Sequence, residues 1–340
     1  MHSAKTEGSK KGTVIEMSEQ KKVTNVGKQK QMGMIITILV LVLLVVVVVI
    51  AMILGGGSSG NPSVTTNDVT PPSVTGNGNG DVTVPVNTNG GDVVADATGK
   101  ISLKKTDVFS GALLNINAEK PFGGETTFLP TQDMSDTDIE AAGFARPKKY
   151  GLSASGYAVT LRDKAAKALG TMVDEFVTAT GVSKSSFVVI TGYATTNTAS
   201  KYITGYTAYL KINDGGYYDF NYSGKKVTIE ENEMTWEAWF KANCAKYGFV
   251  YTGVGEFSYV GLAHSKYMTD YNLDVATYVI NVKAAGKNGI NVKDAEGASW
   301  KVMYITAANG DTTTVTVGAN AVCAVSGDNE NGFIVAVKGQ

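Results

Sequence analysis

Residues 239–268 read WFKANCAKYGFVYTGVGEFSYVGLAHSKYM, and the reading of this stretch decides the fold. Together with Trp236, the residues Trp239, Phe240, Asn243, Cys244 and Tyr247 recur at spacings of three and four, the spacing of an amphipathic helix. Gly248 stands where a left-handed C-cap ends such a helix. Two short β-like runs follow, 249–252 and 257–261, joined by a glycine-rich turn at 253–255. A second helix is expected from Leu262, carrying His264, the only His of the chain besides His2.

Outward from this stretch, the pattern alternates helix and strand. The best helix is 160–180. Ala165, Ala168, Leu169, Met172, Val173, Phe176 and Val177 form its apolar face, Thr160 and Asp163 suggest a capping box, and Gly181 supplies the stop. Residues 187–190 read as a short buried strand and 112–117 as another, with a turn at Pro121. Short helices are expected at 135–142, closed by Gly143, and at 274–279. From Ile290 the pattern is β. The runs 300–306, 312–317, 321–326 and 333–337 alternate apolar and polar residues, separated by turn signals at 309–310 and 327–332. They form either a small β module or an extension of the main sheet.

The N-terminal third is of another kind. Residues 34–54 are 21 residues without a charge, mostly Val, Leu and Ile. As a helix they would span roughly 30 Å, the thickness of a bilayer core. A secretory signal has a shorter apolar region, about 7–15 residues, and a small-residue cleavage site, which 55–57 does not provide. The expectation is an uncleaved transmembrane helix. Residues 1–33 hold seven Lys, three Glu and no Arg, and 55–99 hold no Lys or Arg. The positive-inside rule makes 1–33 a basic cytoplasmic tail and puts the rest outside the cell membrane in a single pass. Residues 55–99 lack aromatics and are rich in Gly, Ser, Asn, Thr, Val, Pro and Asp. They read as a flexible linker whose reach, for about 45 residues, is roughly 35–40 Å. A globular composition begins at Lys100. The chain has 340 residues and a formal net charge of −1, and no nucleic-acid partner is expected. Cys244 and Cys323 permit one disulfide in an oxidising compartment but do not require it; the expectation is two unpaired thiols.

The stretch 239–268 resembles the end of the catalytic domain of VanY-type D-alanyl-D-alanine carboxypeptidases, which read roughly W-L-x-E-N-A-x-K-Y-G-F, a loop, then E-P-W-H-x-R-Y-V-G-x-x-H-A. Trp239, Asn243, Lys246, Tyr247, Gly248, Phe249, Tyr259, Val260, Gly261 and His264 match. Residues 110–122, SGALLNINAEKPF, are similar to the family's opening L-L-V-N-x-x-H-P, and Thr191-Gly192-Tyr193 to its [ST]-G-Y-R. Residues 200–209, SKYITGYTAY, stand where the family has S-x-H-x-x-G-x-A-x-D, with Ser200 and Gly205 kept. The runs W-x-V-x-Y at 300–304 and SGDNENGFIV at 326–335 resemble those of anchored members.

The resemblance implies an α+β fold: a VanY-like domain over 100–285 and a β-rich module or sheet extension over 286–340, behind the transmembrane helix and linker. It also implies that the chemical positions have changed. The zinc ligands fall on Tyr202, Tyr209 and Glu256, the catalytic Glu on Gly253, the family's Trp on Gly255, one Arg on Ser258 and the substrate-carboxylate Arg on Ala194. Phenols are poor zinc ligands at neutral pH because their pKa lies near 10. No catalytic residue, no metal site and no cofactor are then expected, the family's zinc having been lost. His264 falls on a scaffold position. Seven of the sixteen tyrosines lie between Tyr193 and Tyr222. They are either ordinary strand tyrosines or the lining of an aromatic groove, for which the candidates are Tyr193, Tyr202, Tyr206, Tyr209, Glu256 and Tyr259.

The expected function is a membrane-anchored pseudoenzyme, outside the cytoplasm, that binds cell-wall peptide or a wall or membrane protein. The bilayer is met through 34–54. The rival readings are an active zinc carboxypeptidase with an atypical site and a structural adaptor whose cleft is closed.

Overall fold

The computed structural model describes residues 92–339 apart from Thr127 and Glu230. The expected cytoplasmic tail, transmembrane helix and linker up to residue 91 lie outside the described residues. Among the described residues no helix is long and apolar enough to cross a membrane.

The first half of the described chain is built on a six-stranded sheet. Its order is Phe249–Gly253, Glu256–Tyr259, Thr207–Asn213, Phe187–Thr191, Ser153–Ala154, with Tyr217–Tyr218 added to Thr207–Asn213. All pairs are antiparallel except Ser153–Ala154, which runs parallel to Phe187–Thr191. Alternate residues of Thr207–Asn213 take opposite faces. Ala208, Leu210 and Ile212 enter a buried cluster with the central helix Asp163–Thr180, which contributes Ala165, Leu169, Met172, Val173 and Phe176. The helix Trp236–Asn243 brings Trp236, Trp239 and Phe240 to the same cluster. Ring centroids of Phe176 and Phe240 lie 4.9 Å apart, and those of Phe220 and Phe240 5.0 Å. Each fully buried large side chain here contributes roughly 1.5–3 kcal/mol.

The second half has a sheet of its own. Its order is Asp92–Val94, Val322–Gly327, Gly332–Lys338, Ser299–Thr306, Ile290–Lys293, all antiparallel. Of the two arrangements the sequence leaves open, this is the separate sheet. On one face Ile334, Ala336, Trp300, Val302 and Tyr304 pack against the helices Leu262–Asp270 and Val275–Ala285. On the other, Phe333, Val335, Val337, Met303 and Ile305 are covered by the two-stranded ribbon of Lys100–Lys104 and Thr312–Thr316. Cys323 lies in this last cluster and Cys244 in that of the first sheet, so the two buried thiols belong to separate cores.

The stretch 239–268 takes the expected form. Trp236–Asn243 is α-helical, Cys244–Tyr247 tightens into a 3-10 turn, and Gly248 closes it at φ 83°. The hairpin follows, then the helix from Leu262. Elsewhere the structure departs from the expectations in four places. Asp92–Val94 pairs with residues 322–324 rather than belonging to a linker, because the edge of Val322–Gly327 offers it a ladder. Residues 112–117 are not a strand. Leu113, Leu114 and Asn115 are buried, but the Leu113 N–H donates to Ser326 Oγ at 2.9 Å and the Asn115 carbonyl accepts from Asn329 Nδ2 at 3.4 Å. Side chains from the C-terminal sheet thus replace a strand partner. The central helix starts at Asp163 without the capping box, since Leu161–Arg162 pairs with Phe144–Ala145 and draws Thr160 into extended chain. The last helix runs on to Ala285.

Candidate functional site

Glu256 is the centre of the candidate site. It opens the second strand of the hairpin, where the tight turn at Gly255 has φ 73°. A Cβ at Gly255 would stand 2.3 Å from the Leu210 carbonyl oxygen, so this position excludes the bulky residue that the family resemblance places there. The turn fixes Glu256 opposite Tyr209 on the neighbouring strand, with both side chains on one face of the sheet. From the other side comes the 3-10 turn Lys201–Thr204, capped by Ser200, whose hydroxyl accepts the Tyr202 N–H, and closed by Gly205.

The turn and the hairpin join through side chains. Tyr202 donates its hydroxyl to Glu256 Oε2 at 2.7 Å, and Thr252 donates to Oε1 at 2.7 Å. The Lys201 ammonium pairs with the same Oε1. Burial alone would raise the Glu256 pKa, but the bonds from Lys201, Thr252 and Tyr202 outweigh it and hold the carboxyl below its usual range. Tyr202 is shifted the other way, by burial first and then by its bond to Glu256, so it keeps its proton. Tyr209 turns its hydroxyl to the Asp219 carboxylate instead, and burial and that bond push its pKa up to about 12. Lys211 completes this second pair, 3.5 Å from Asp219.

These three positions therefore come together, but as two carboxylate–phenol pairs. A catalytic zinc needs about three anionic or imidazole donors and an open position. Here the one carboxylate is already bound by three donors, and both phenols hold their protons. This donor set does not fit zinc. Among the described residues no group of three or more His, Cys, Asp or Glu is placed to hold a metal ion. Gly253 pairs with Glu256 across the hairpin and offers no base. Ala194 offers no cation; its N–H donates to the Tyr202 carbonyl at 3.3 Å.

Beside this network lies a cleft of about 630 Å3. Lys201, Thr252, Thr207 and Ser258 line one side, the latter two hydrogen-bonded to each other at 3.0 Å. The irregular segment with Asn115 and Asn117 lines the second side, and residues 272–277 the third. Asp274 there is occupied in capping Val275–Ala285, accepting the Thr277 N–H at 2.7 Å. Of the groove candidates, Tyr206 and Tyr259 line the cleft. Tyr193 does not belong to it: its ring packs on Phe144 at 4.6 Å and its N–H donates to the Thr160 carbonyl at 2.7 Å. Gly192 permits that approach, since a Cβ would meet Thr160 O at 2.2 Å. Tyr206 is in the core cluster, stacked on Tyr259 with centroids 6.1 Å apart. Sequence reasoning missed Lys201, Thr252 and Asp219, the partners of the changed positions, and the Asn115-x-Asn117 pair. The only available signal for Lys201 was its place beside Tyr202 in a capped turn.

Among solved structures, the chain is similar to the vancomycin-resistance D,D-dipeptidase VanXYg, solved in complex with a D-Ala-D-Ala phosphinate analog. The identity is 20% and the TM-score 0.50, over 70% of this chain and 98% of that one. It is more distantly similar to the LdcB LD-carboxypeptidase, with 16% identity and a TM-score of 0.34 over 48% of this chain and 84% of that one. No protein-family model matches the chain, and none of the curated proteins does. The first likeness shows a fold: a mixed α/β domain like that of VanXYg.

Proposed function

We propose that this chain is a non-catalytic relative of the D,D-peptidases that binds cell-wall peptide at the outer face of the membrane, anchored through residues 34–54. The observation that carries this reading is the Glu256 network. On a D,D-peptidase-like fold, the carboxylate at the metal-ligand position of the resemblance is bound by Lys201, Tyr202 and Thr252. A metal-bound nucleophile needs deprotonated ligands, and this network holds its phenol protons in place. The cleft supports binding over the closed-cleft adaptor: about 630 Å3 is within the range of ligand sites. Its lining of hydroxyls, amides and tyrosine edges suits a peptide backbone.

Three measurements on the purified full chain test this. Metal analysis should find no stoichiometric zinc. Incubation with a pentapeptide ending in D-Ala-D-Ala should release no D-Ala, and Glu256→His alone should not change that. Purified peptidoglycan should retain the chain, and Thr252→Arg, which fills the cleft, should reduce retention. Zinc near one per chain, with D-Ala release stopped by a chelator, would establish the active-enzyme reading. Retention unaffected by filling the cleft would favour the adaptor. Protease added to wall-stripped cells should remove the folded domain; accessibility of only 1–33 would reverse the orientation.

A further inference from the structure

On the far side of Tyr259 from the cleft, a second cavity of about 120 Å3 lies between the two sheets. Tyr259 and Ala112 line both spaces, so they form the partition. The cavity is bounded further by Asp92, Lys164, the helix start at 261–263, His264 and Lys338.

Apart from the Asp92 carboxylate, paired with Lys164, and the Ser326 hydroxyl, which accepts the Leu113 N–H, its polar side chains are donors. His264 is 3% exposed, and its Nδ1 lies 2.8 Å from the hydroxyl of fully buried Tyr278. That phenol has no other hydrogen-bond partner among the described residues, and its proton needs an acceptor. Tyr278 therefore donates to Nδ1, and the hydrogen of the ring sits on Nε2. Burial draws the His264 pKa down to about 3, so the ring is neutral. Nε2–H makes no hydrogen bond among the described residues. Tyr259 is 5% exposed and its hydroxyl likewise has no hydrogen-bond partner among the described residues. Burial, and then the charge of Asp92, keep that phenol protonated.

The helix Leu262–Asp270 begins at Gly261, which has no side chain to cap it. His264 and Ser265 donate their N–H groups to the Gly261 carbonyl at 3.2 and 3.1 Å, while the N–H groups of Leu262 and Ala263 find no acceptor among the described residues. Such a helix start favours negative charge. The charged groups on the wall are Lys164, Lys338 and Asp92, two positive and one negative. Lys164 is 3.0 Å from Asp92, and Lys338 sits over the Trp300 ring at 5.5 Å. One positive charge is left over. A space of about 120 Å3 is several times what one water needs and admits a group the size of a carboxylate.

We propose that this cavity binds a monoanionic carboxylate, received by His264 Nε2–H, the Tyr259 hydroxyl and the N–H groups of Leu262 and Ala263, with Lys338, the cation not paired with Asp92, balancing its charge. The reading does not depend on the function proposed for the cleft.

The test is a titration of the isotope-labelled full chain with acetate, followed by nuclear magnetic resonance. Acetamide serves as the neutral isostere and inorganic phosphate as the more highly charged anion. Acetate should shift the Leu262 and Ala263 amide signals and the His264 Nε2 proton along a saturable curve, and acetamide should not. Tyr259→Phe should weaken binding about tenfold, the worth of one hydrogen bond to a charged group. Lys338→Gln should weaken it further than Lys338→Arg. Signals from Ser299–Thr306 report whether each variant is folded; if Tyr259→Phe is not, the Lys338 pair carries the test. Equal shifts with acetamide, a non-saturating acetate response, or phosphate binding more tightly than acetate would each overturn the proposal.

Discussion

The cleft and the cavity share a wall and treat polarity in opposite ways. In the cleft network each charged group is answered from within: Glu256 by Lys201, Tyr202 and Thr252, Asp219 by Tyr209 and Lys211, Asp274 by its own helix; the exception on the cleft wall is the neutral Tyr206 hydroxyl, which has no partner among the described residues. In the cavity, the Tyr259 hydroxyl, His264 Nε2 and two backbone N–H groups have no answer among the described residues. The fully buried side-chain atoms that lack a partner among the described residues are Thr160 Oγ1, the Tyr206 hydroxyl and Trp236 Nε1; none of them lines the cavity, so its donors face open space rather than packed core. The difference teaches where to look for ligands. A site resembling an enzyme's by position can be chemically closed, while an unremarkable scaffold histidine can face open donor space.

Gly255→Ala should break the comparison on one side only. Its Cβ would press on the Leu210 carbonyl in a left-handed turn, at a cost of about 3 kcal/mol. Denaturant titration should show that loss, while acetate shifts at Leu262 and Ala263 survive. If the cavity response vanished as well, the two regions would be one unit.

His264→Gln addresses the other side through pH. The folded pKa of about 3 lies below the ordinary 6.5, so between these values the unfolded chain binds a proton that the folded chain refuses. Stability then falls as the pH drops below 6.5, with a slope of about 1.4 kcal/mol per pH unit from this one group. The variant should lose that slope. An unchanged slope between pH 6.5 and 4.5 would mean that His264 is protonated in the folded chain.

Glu256→Gln should have a smaller effect in a lower window. Its folded pKa is depressed from 4.5, so its contribution is complete above that value and is lost as the pH falls through the folded pKa. Lys201 is 45% exposed, which weakens that pair by solvent screening. The expected cost at neutral pH is about 1 kcal/mol, and the variant should be less sensitive to acid below pH 4.5 than the parent. Equal sensitivity would remove Glu256 from the acid response.

Replacing either cysteine by Ser should not alter disulfide content. Burial pushes both thiols up to about 11, and they lie in separate cores. Mass spectrometry without reduction should find no peptide pair linked through Cys244 and Cys323.

What could be read from the sequence was local. The helix, C-cap, hairpin and second helix of 239–268 follow from spacings within thirty residues and from glycines that tolerate a left-handed backbone. The convergence of Tyr202 and Glu256 was legible only through the family resemblance, because the turn and the hairpin are fifty-four residues apart. What stayed hidden depended on distant partners. Asp92–Val94 has no aromatic residue to mark it and becomes a strand only because Val322–Gly327 lacks a neighbour there. Residues 112–117 have a buried strand's composition, but Ser326 and Asn329, more than two hundred positions later, bind their backbone. The tautomer of His264 follows from Tyr278, on the next helix.

Asp92–Val94 also has a mechanical meaning. Whatever pull travels along the chain from residues before 92 enters the folded body at this edge, through three cross-strand pairs and the Lys164 ion pair. At about 1 kcal/mol for each backbone bond, this edge yields before the long central pairing of Gly332–Lys338 with Ser299–Thr306 does. Under tension the strand would act as a fuse, peeling away a short leader while the two-sheet body remains folded.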